Sequence, residues 1–303
     1  MKLVAVPVVS TTLPPRPPEV ASDAQAPAAL PAPTLCALSE CGPVRPHNGD
    51  QFLIAELDRA MRVQQSSVSA TERSVIHQQQ QGWLLAVADG LGEGGGGEMA
   101  SHLTVRAVAD YAISAMPWSL ANLDVSAPLL AAGFQDTVRR CQREIAHLSG
   151  AADAARRAVM TLTLGYIVWP ELYIVHVGDC RCYILRDGTL HRLTRDHARP
   201  SGHQPLLRGQ DTAAPSHTLI NAVGGSTDAL YTELRHTTMR AGDVMFLCTD
   251  GISNALSDAL IAQHLGALAR DPAASADACL RAMFAAVVGR GGADNMTAIV
   301  GRF

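Results

Sequence analysis

The sequence predicts an α+β protein in which sheets and helices are stacked in layers. Two sets of short apolar segments with strand spacing are each followed by a pair of helical segments. Tight-turn signals such as Arg186-Asp187-Gly188 join neighbouring strands, as in antiparallel hairpins. The regular alternation of strand and helix that marks a parallel sheet is absent from the sequence. We therefore expect an α+β layered sandwich.

In the first half of the chain, strand patterns precede two helices. The second helix is expected to follow Ser126 as its N-cap, with Pro128 just inside. Its apolar residues step by fours and threes along one face, which predicts core packing. That stripe consists of Leu130, Phe134, Val138, Cys141, Ile145 and Leu148. The predicted strands are Thr34–Glu40, Gln51–Ala55 and Trp83–Ala88, a mobile connection is expected over Asp58–Gln81, and the first helix over Glu98–Met116.

In the second half, four strands with turn spacing predict one antiparallel meander. A loop is expected over Arg195–Ile220, and a last strand enters after Asp294. The meander strands are Met160–Trp169, Leu172–Val177, Arg181–Leu185 and Thr189–Leu193, followed by a strand over Met239–Leu247 and helices over Ser257–Leu268 and Pro272–Val288.

Composition bounds the class of protein. With 303 residues, 48% hydrophobic and 17% charged, the chain can bury a sizeable core as one large domain or two modest ones. A net charge of −4 gives no reason to expect nucleic acid or a membrane surface as partner. The seven cysteines are odd in number and form no C-x-x-C motif, which favours free thiols in a reducing cytoplasm. Residues 1–33 are rich in Pro and Ala and predict a disordered tail, which leaves residues 34–303 as the folded domain.

The stretch from Trp83 to Ser101 allows three interpretations. An apolar run ends at Asp89, a run of glycines follows, and a helix begins. A carboxylate beside backbone that lacks Cβ atoms suits a hard cation, but a plain strand-to-helix turn has the same pattern. Gly90–Gly95 also matches the dinucleotide motif G-x-G-x-x-G. Against that third interpretation, Asp89 and Glu93 would repel a pyrophosphate, and the acidic Asp110 falls inside a helix instead of at a second strand end.

Five aspartates share one context, because each lies at a strand boundary beside Gly or Asn. A single such aspartate is usually a turn residue. If the strand ends converge, however, five carboxylates repel one another unless cations or protons neutralise them. Oxygen ligands select Mg²⁺ or Mn²⁺ over zinc. The five are Asp50, Asp89, Asp179, Asp250 and Asp294.

An ordered set of motifs resembles one family. RPHNGD, ADGLGxxxxGEMAS, VGDCRCYILRDG, LTRDHA, INAVGG, CTDG and DNMTAIV are similar, in order and spacing, to the motifs of metal-dependent serine/threonine protein phosphatases of the 2C type. The resemblance runs from about Cys36 to the C-terminus and indicates a bacterial-like, single-domain member. It implies a four-layer α-β-β-α sandwich with two central antiparallel sheets and a binuclear metal site at one end.

The resemblance also implies the metal ligands. Asp89 would bridge two Mn²⁺ or Mg²⁺ ions, with the Gly90 carbonyl on the second. Asp250 and Asp294 would complete the first ion, and Asp50 would hold metal-bound water.

Three further roles follow from the same resemblance. Asp179 would join Asp250 at a third, weaker ion. Arg45 would clamp the substrate phosphate with its fork of donors, the alternative being a surface ion pair. Asn295 would support Asp294 from outside the ligand set.

The implied activity is hydrolysis of phosphoserine and phosphothreonine in proteins by attack of a metal-bridging water. The expected partners are phosphoproteins, the substrates of a Ser/Thr kinase, and neither nucleic acid nor membrane. The expected state is a cytoplasmic monomer.

Some residues depart from the family pattern. Gly49 stands where relatives usually carry Glu or Gln, and Glu93-Gly94 stand where many carry Gly-His. The flap segment His197–Ile220 is short. Two alternatives therefore stay open: a catalytically weak or inactive phosphatase-like binding module, and a cation-stabilised structural β-protein.

Overall fold

A computed structural model describes residues 33–57, 82–91, 96–114, 123–148, 158–200, 217–224, 230–271 and 273–303. The strands and helices described below belong to one compact unit, Pro31–Phe303. The expectations for the tail before residue 33, for Asp58–Gln81, and for Glu93 and Gly94 lie outside the described residues.

Thirteen strands and five helices occur in the described part of the chain. The strands are β1 Thr34–Glu40, β2 Gln51–Leu57, β3 Gly82–Leu91, β4 Val159–Val168, β5 Glu171–Val177, β6 Arg181–Arg186, β7 Thr189–Arg192, β8 Ala198–Pro200, β9 His217–Leu219, β10 Val223–Gly224, β11 Glu233–Thr238, β12 Val244–Cys248 and β13 Met296–Arg302. The helices are α1 Gly96–Ser114, α2 Leu123–Leu148, α3 Asp250–Ser253, α4 Asp258–Arg270 and α5 Ala276–Val288.

These strands form two large antiparallel sheets. The first has the order β1-β13-β12-β6-β7, and the second has the order β11-β5-β4-β3-β2, with β10 paired to β4. A small ladder joins β8 to β9. The predicted pair of antiparallel sheets is confirmed.

Helices cover the outer face of each sheet, which gives the expected α-β-β-α order. On the second sheet, Phe134 and Val138 of α2 share one hydrophobic core with Leu84 and Ala86 of β3. On the first sheet, the helices α4 and α5 contribute a separate core, which includes Leu265 and Met283.

The two sheets face each other in the middle of the sandwich. Trp83 of β3 meets Phe303 edge to face, with ring centroids 5.9 Å apart. A Cβ placed on Gly165 of β4 would lie 2.4 Å from Cε of Met245 in β12, so these strands are in direct contact. Both faces of β3 are therefore covered, which explains its continuous apolar run.

Two predicted helix starts are wrong. Helix α2 begins at Leu123, so Pro128 lies in its second turn, where it removes one backbone hydrogen bond, and Ser126 is not the cap. Helix α5 begins after Ser275, whose hydroxyl accepts from the amide of Ala278. The predicted start at Pro272 fails because Asp271 already forms a turn with Ala273. The core stripe of α2 is confirmed at Phe134, Val138, Cys141 and Ile145.

The single meander is also wrong. Strands β4 and β5 belong to the second sheet, whereas β6 and β7 belong to the first. The chain crosses between sheets at Gly178, where φ is +107°, a value that favours glycine. The hairpin at Asp187-Gly188 is confirmed, with φ values of +51° and +78° that fit a type I′ turn.

Four strands were not predicted, and one was placed too early. Strands β8 and β9 lie within Arg195–Ile220, which was expected to be a loop, and β10 has only two residues. Strand β12 begins at Val244, because Arg240 and Asp243 form the preceding turn. Strand β11 escaped prediction because it lies at a sheet edge and its residues are mostly polar.

Among the described residues, no helix is long and apolar enough to cross a membrane.

Candidate active site

The five aspartates come from separate elements of both sheets. One of them differs from expectation: Asp89 lies within β3, opposite Thr161, because the strand continues to Leu91. The others lie where chain segments enter or leave the sheets. Asp50 directly precedes β2, Asp179 lies between β5 and β6, Asp250 opens α3 after β12, and Asp294 lies two residues before β13.

These carboxylates converge on Asp89. The side chain of Asp89 is buried, and burial is the main cause that raises its pKa well above the ordinary value. The charges of Asp250, Asp50, Asp179 and Asp294 raise it further, in that order. Four carboxylates therefore act on Asp89, which lies at the centre of the cluster.

Asp50 is the most buried member, with 3% of its surface exposed. Burial raises its pKa to about 6, against the opposing effect of a hydrogen bond that the Thr249 hydroxyl donates to Oδ2 at 2.8 Å. The other oxygen, Oδ1, is buried and has no hydrogen-bond partner among the described residues. Such an oxygen is costly to bury unless something positive meets it.

Asp179 has the same property. Its Oδ1 is buried without a hydrogen-bond partner in the described part of the chain. Burial, followed by the charges of Asp250 and Asp196, raises the pKa of Asp179 to about 7. The side chain of Asn254 donates to Oδ2 of Asp250 at 3.1 Å. These open, crowded carboxylate oxygens fit a hard divalent cation, because a cation would remove their mutual repulsion.

The Gly90 carbonyl lies in a contact between three glycines. A Cβ on Gly49 would lie 2.5 Å from Gly90 O, and a Cβ on Gly97 would lie 2.3 Å from the same atom. The Gly90 amide donates to Gly49 O at 3.2 Å, and the Ser101 hydroxyl donates to that oxygen at 2.6 Å. The absence of a side chain at position 49 is therefore a packing requirement of this backbone.

Arg45 lies at the rim of the cluster and pairs with Asp294. Its Nε and Nη2 donate to the two carboxylate oxygens of Asp294, each at 2.9 Å. The two side chains are 51% and 37% exposed, so this ion pair faces solvent. The structure thus shows the ion pair that the sequence allowed as the alternative for Arg45, with a metal-ligand candidate as the partner.

Asn295 contacts Asp294 through its backbone and the loop before β2 through its side chain. Its backbone amide donates to Asp294 Oδ1 at 2.9 Å. The side-chain nitrogen donates to the carbonyls of Cys41 and His47, and Oδ1 accepts from the amide of Gly49. Asn295 therefore fixes the loop that carries Arg45 and Asp50.

Sequence reasoning missed a second polar cluster beside Asp179. One potential ligand atom from each of His176, His197 and Glu233 lies within 4.8 Å of the others. The only available signal was a histidine inside the apolar strand β5, because Glu233 lies on the edge strand that was not predicted.

Comparison with known proteins decides the family. The family model for protein phosphatase 2C matches residues 70–285, which is more than half of the chain. The chain belongs to the protein phosphatase 2C family.

The relatives of this 2C-family chain are bacterial phosphatases. It is 32% identical over 226 residues to the serine/threonine protein phosphatase PstP of Mycobacterium tuberculosis, covering 72% of this chain and 40% of that protein. It is 24% identical over 176 residues to the serine/threonine phosphatase stp of Listeria monocytogenes, covering 56% and 67% of the two chains. The chain thus spans less than half of the first relative's length.

Solved structures of the family agree with the fold. The crystal structure of the Mycobacterium tuberculosis phosphatase PstP/Ppp matches with a TM-score of 0.65 and 26% identity, over 89% of this chain and 98% of that one. The catalytic domain of PstP in complex with 2 manganese ions matches with a TM-score of 0.62 and 25% identity, over 89% and 97%.

We expect Gly49→Ala to disrupt the site, because the new Cβ would press on Gly90 O, a backbone atom that cannot rotate away. Thermal melting should show a loss on the order of 1–3 kcal/mol, the scale of overpacking. Gly266→Ala is the matched control, since its Cβ would meet only the flexible end of Arg270. Equal melting of the Gly49→Ala and Gly266→Ala variants would contradict the packing requirement.

The metal-free protein should be destabilised by charge at Asp50. Its pKa rises from 3.8 to about 6 on folding, so stability is lost as pH rises through that interval. In chelator at pH 8, Asp50→Asn should therefore melt higher than wild type, by about 2–4 °C for each kcal/mol of relieved repulsion. The gain should vanish near pH 4.

Asp187→Asn, an exposed aspartate in a turn that also suits asparagine, is the control for Asp50→Asn. Identical melting temperatures of wild type and Asp50→Asn at both pH values would show that the charge of Asp50 carries no penalty.

Proposed function

We propose that this chain is a metal-dependent phosphoprotein phosphatase that hydrolyses phosphoserine and phosphothreonine. The observation that carries the proposal is the set of buried, convergent carboxylates with unpartnered oxygens on Asp50 and Asp179. A guanidinium stands at the solvent side of that set. Membership of the 2C family and the names of the relatives support the same activity.

Mn²⁺ or Mg²⁺ is the proposed cofactor, as two ions with a third bound more weakly. Support comes from the all-oxygen donor set and from the related catalytic domain of PstP, which was solved in complex with 2 manganese ions. Asp89 and the Gly90 carbonyl would hold the pair of ions, together with Asp250 and Asp294. Asp50 would act through water, and Asp179 would serve the weaker ion with Asp250.

When bound, such ions neutralise phosphoryl oxygens and lower the pKa of a coordinated water towards neutrality. The protein residues supply the rest. The Thr249 hydroxyl fixes one oxygen of Asp50, which leaves the other free to orient water. Arg45 lies on the exposed side of the site, where a phosphate group on a protein would replace Asp294 as the acceptor for its paired donors.

The finer assignments extend this proposal. The substrates would be proteins phosphorylated by a partner Ser/Thr kinase, and the enzyme would act as a cytoplasmic monomer. Residues 34–303 would be the catalytic domain, and residues 1–33 would lie outside the chemistry. These assignments rest on the family and on the composition of the chain.

The direct test is hydrolysis of a phosphothreonine peptide with Mn²⁺, with chelator, and with Asp250→Asn. We expect activity in Mn²⁺, none after chelation, and a loss of at least about 100-fold in kcat for Asp250→Asn, because the ion neutralises charge in the transition state.

Asp187→Asn is again the matched control for this assay and should stay at the wild-type rate, since its side chain is exposed. Metal binding without turnover in the wild type would favour the phosphatase-like binding module instead. Full turnover in chelator would exclude a metal-dependent reaction.

Arg45→Ala should raise KM for the phosphopeptide by about tenfold or more, the equivalent of 1.5–3 kcal/mol for a hydrogen-bonded charge, with a smaller change in kcat. Arg281→Ala removes a more exposed ion pair, with Asp277 on α5, and should change neither constant. If KM and kcat of Arg45→Ala both match wild type, Arg45 does not bind phosphate.

A further inference from the structure

The crossing between the sheets at Gly178-Asp179 is held by one histidine. The His197 amide donates to Gly178 O at 2.7 Å, and the Gly178 amide donates back to His197 Nδ1 at 3.1 Å. His197 is 9% exposed, so this two-point contact is shielded from water. It fixes the residue directly before Asp179.

The ring of His197 has a defined tautomer. Besides the Gly178 amide, the side-chain nitrogen of Asn221 donates to Nδ1 at 2.8 Å. The orientation of that amide group is itself fixed, because its nitrogen donates to Tyr231 O and its oxygen accepts from the Tyr231 amide. Nδ1 is thus an acceptor only, and the ring proton lies on Nε2, which faces Glu233 Oε2 at 3.6 Å.

This tautomer argues against a metal ion among His176, His197 and Glu233. A metal on Nε2 of His197 would require the proton to move to Nδ1, where two N–H donors already point. The ring nitrogens of His176 are also occupied, by the Thr163 hydroxyl and the Arg195 carbonyl. The cluster is a hydrogen-bonded support.

The other side of Asp179 is held by the neighbour of His197. Asp196 receives a bidentate pair from Arg181, at 3.2 and 2.9 Å, and a further bond from Arg192. The consecutive residues Asp196 and His197 therefore bind the chain on both sides of Asp179, at Arg181 and at Gly178. Oδ1 of Asp179 is buried and has no hydrogen-bond partner among the described residues. If the backbone at Asp179 were mobile, this oxygen would turn towards water, because an unpaired buried acceptor is costly.

We propose that His197 is the positioning residue for the weaker cation site at Asp179, and that it acts through the acceptor Nδ1. The inference rests on the proposed function for the identity of the cation, and it adds a residue to that site. His197 also joins the site to the small β8–β9 ladder, because its carbonyl accepts from the amide of Ile220 at 2.9 Å.

Two substitutions separate this role from simple packing. In His197→Asn, the amide oxygen can replace Nδ1 as the acceptor for Gly178. In His197→Gln, the amide reaches the position of Nε2 beside Glu233 but leaves no acceptor at Nδ1. Both variants keep the backbone bond to Gly178 O.

The measurement is Mn²⁺ binding to the full chain without substrate, with free Mn²⁺ counted by electron paramagnetic resonance. Asp179→Asn identifies the weaker site in the wild-type titration. His197→Gln should weaken that site about tenfold, the lower end for residues that orient ligands, whereas His197→Asn should bind like wild type. In an Asp179→Asn background, His197→Gln should have no further effect.

Equal losses of Mn²⁺ affinity in His197→Gln and His197→Asn, or no loss in either, would overturn the proposal. So would a loss in His197→Gln that persists in the Asp179→Asn background, or a titration that Asp179→Asn leaves unchanged. If His197→Gln does not fold, Asn221→Ala loosens the same ring and should weaken the same site to a smaller extent; an unchanged site would again overturn the proposal. Because binding is read without turnover, failure of the proposed phosphatase activity would appear only in the separate peptide assay.

Discussion

The main constraint on this structure is the mutual repulsion of carboxylates where the two sheets meet, which the rest of the fold must offset. Asp50 and Asp89 are buried, and each pKa is raised by burial and by neighbouring carboxylates. A fold can hold such groups only if the surrounding backbone is rigid and a cation or protons balance the charge. The hydrophobic cores on both sides of the sandwich supply that rigidity.

Rigidity at the site itself comes from backbone contacts more than from side-chain packing. Gly49, Gly90 and Gly97 come from three segments and approach within distances that exclude a Cβ. Asn295 adds three hydrogen bonds between β13 and the loop before β2. As a result, the main chain directly places the carbonyl of Gly90 and the backbone of Asp50. The Thr249 hydroxyl then fixes one oxygen of the Asp50 carboxylate.

The sequence predicted the layers and the members of the site better than their connections. Periodicity and turn residues located most elements, and the motif set named the five aspartates. The assignment of β5 and β6 to different sheets depends on one glycine conformation at Gly178, which local pattern does not reveal. The side-chain direction of Asn295 and the pairing of Arg45 with Asp294 depend on contacts more than 240 positions apart in the chain. Only the folded structure brings such residues together.

The carboxylate cluster has a buried end and a solvent-exposed end, and its residues differ in exposure accordingly. Asp50 is 3% exposed and Asp89 is 7% exposed, whereas the pair of Arg45 and Asp294 is 51% and 37% exposed. Electrostatic interactions strengthen as water is excluded, so the inner carboxylates gain most from a cation. The guanidinium of Arg45 forms an ion pair with Asp294 that faces solvent and can exchange with other anions. An anion arriving from solvent therefore meets Arg45 first, and the buried carboxylates repel it unless cations already lie between them.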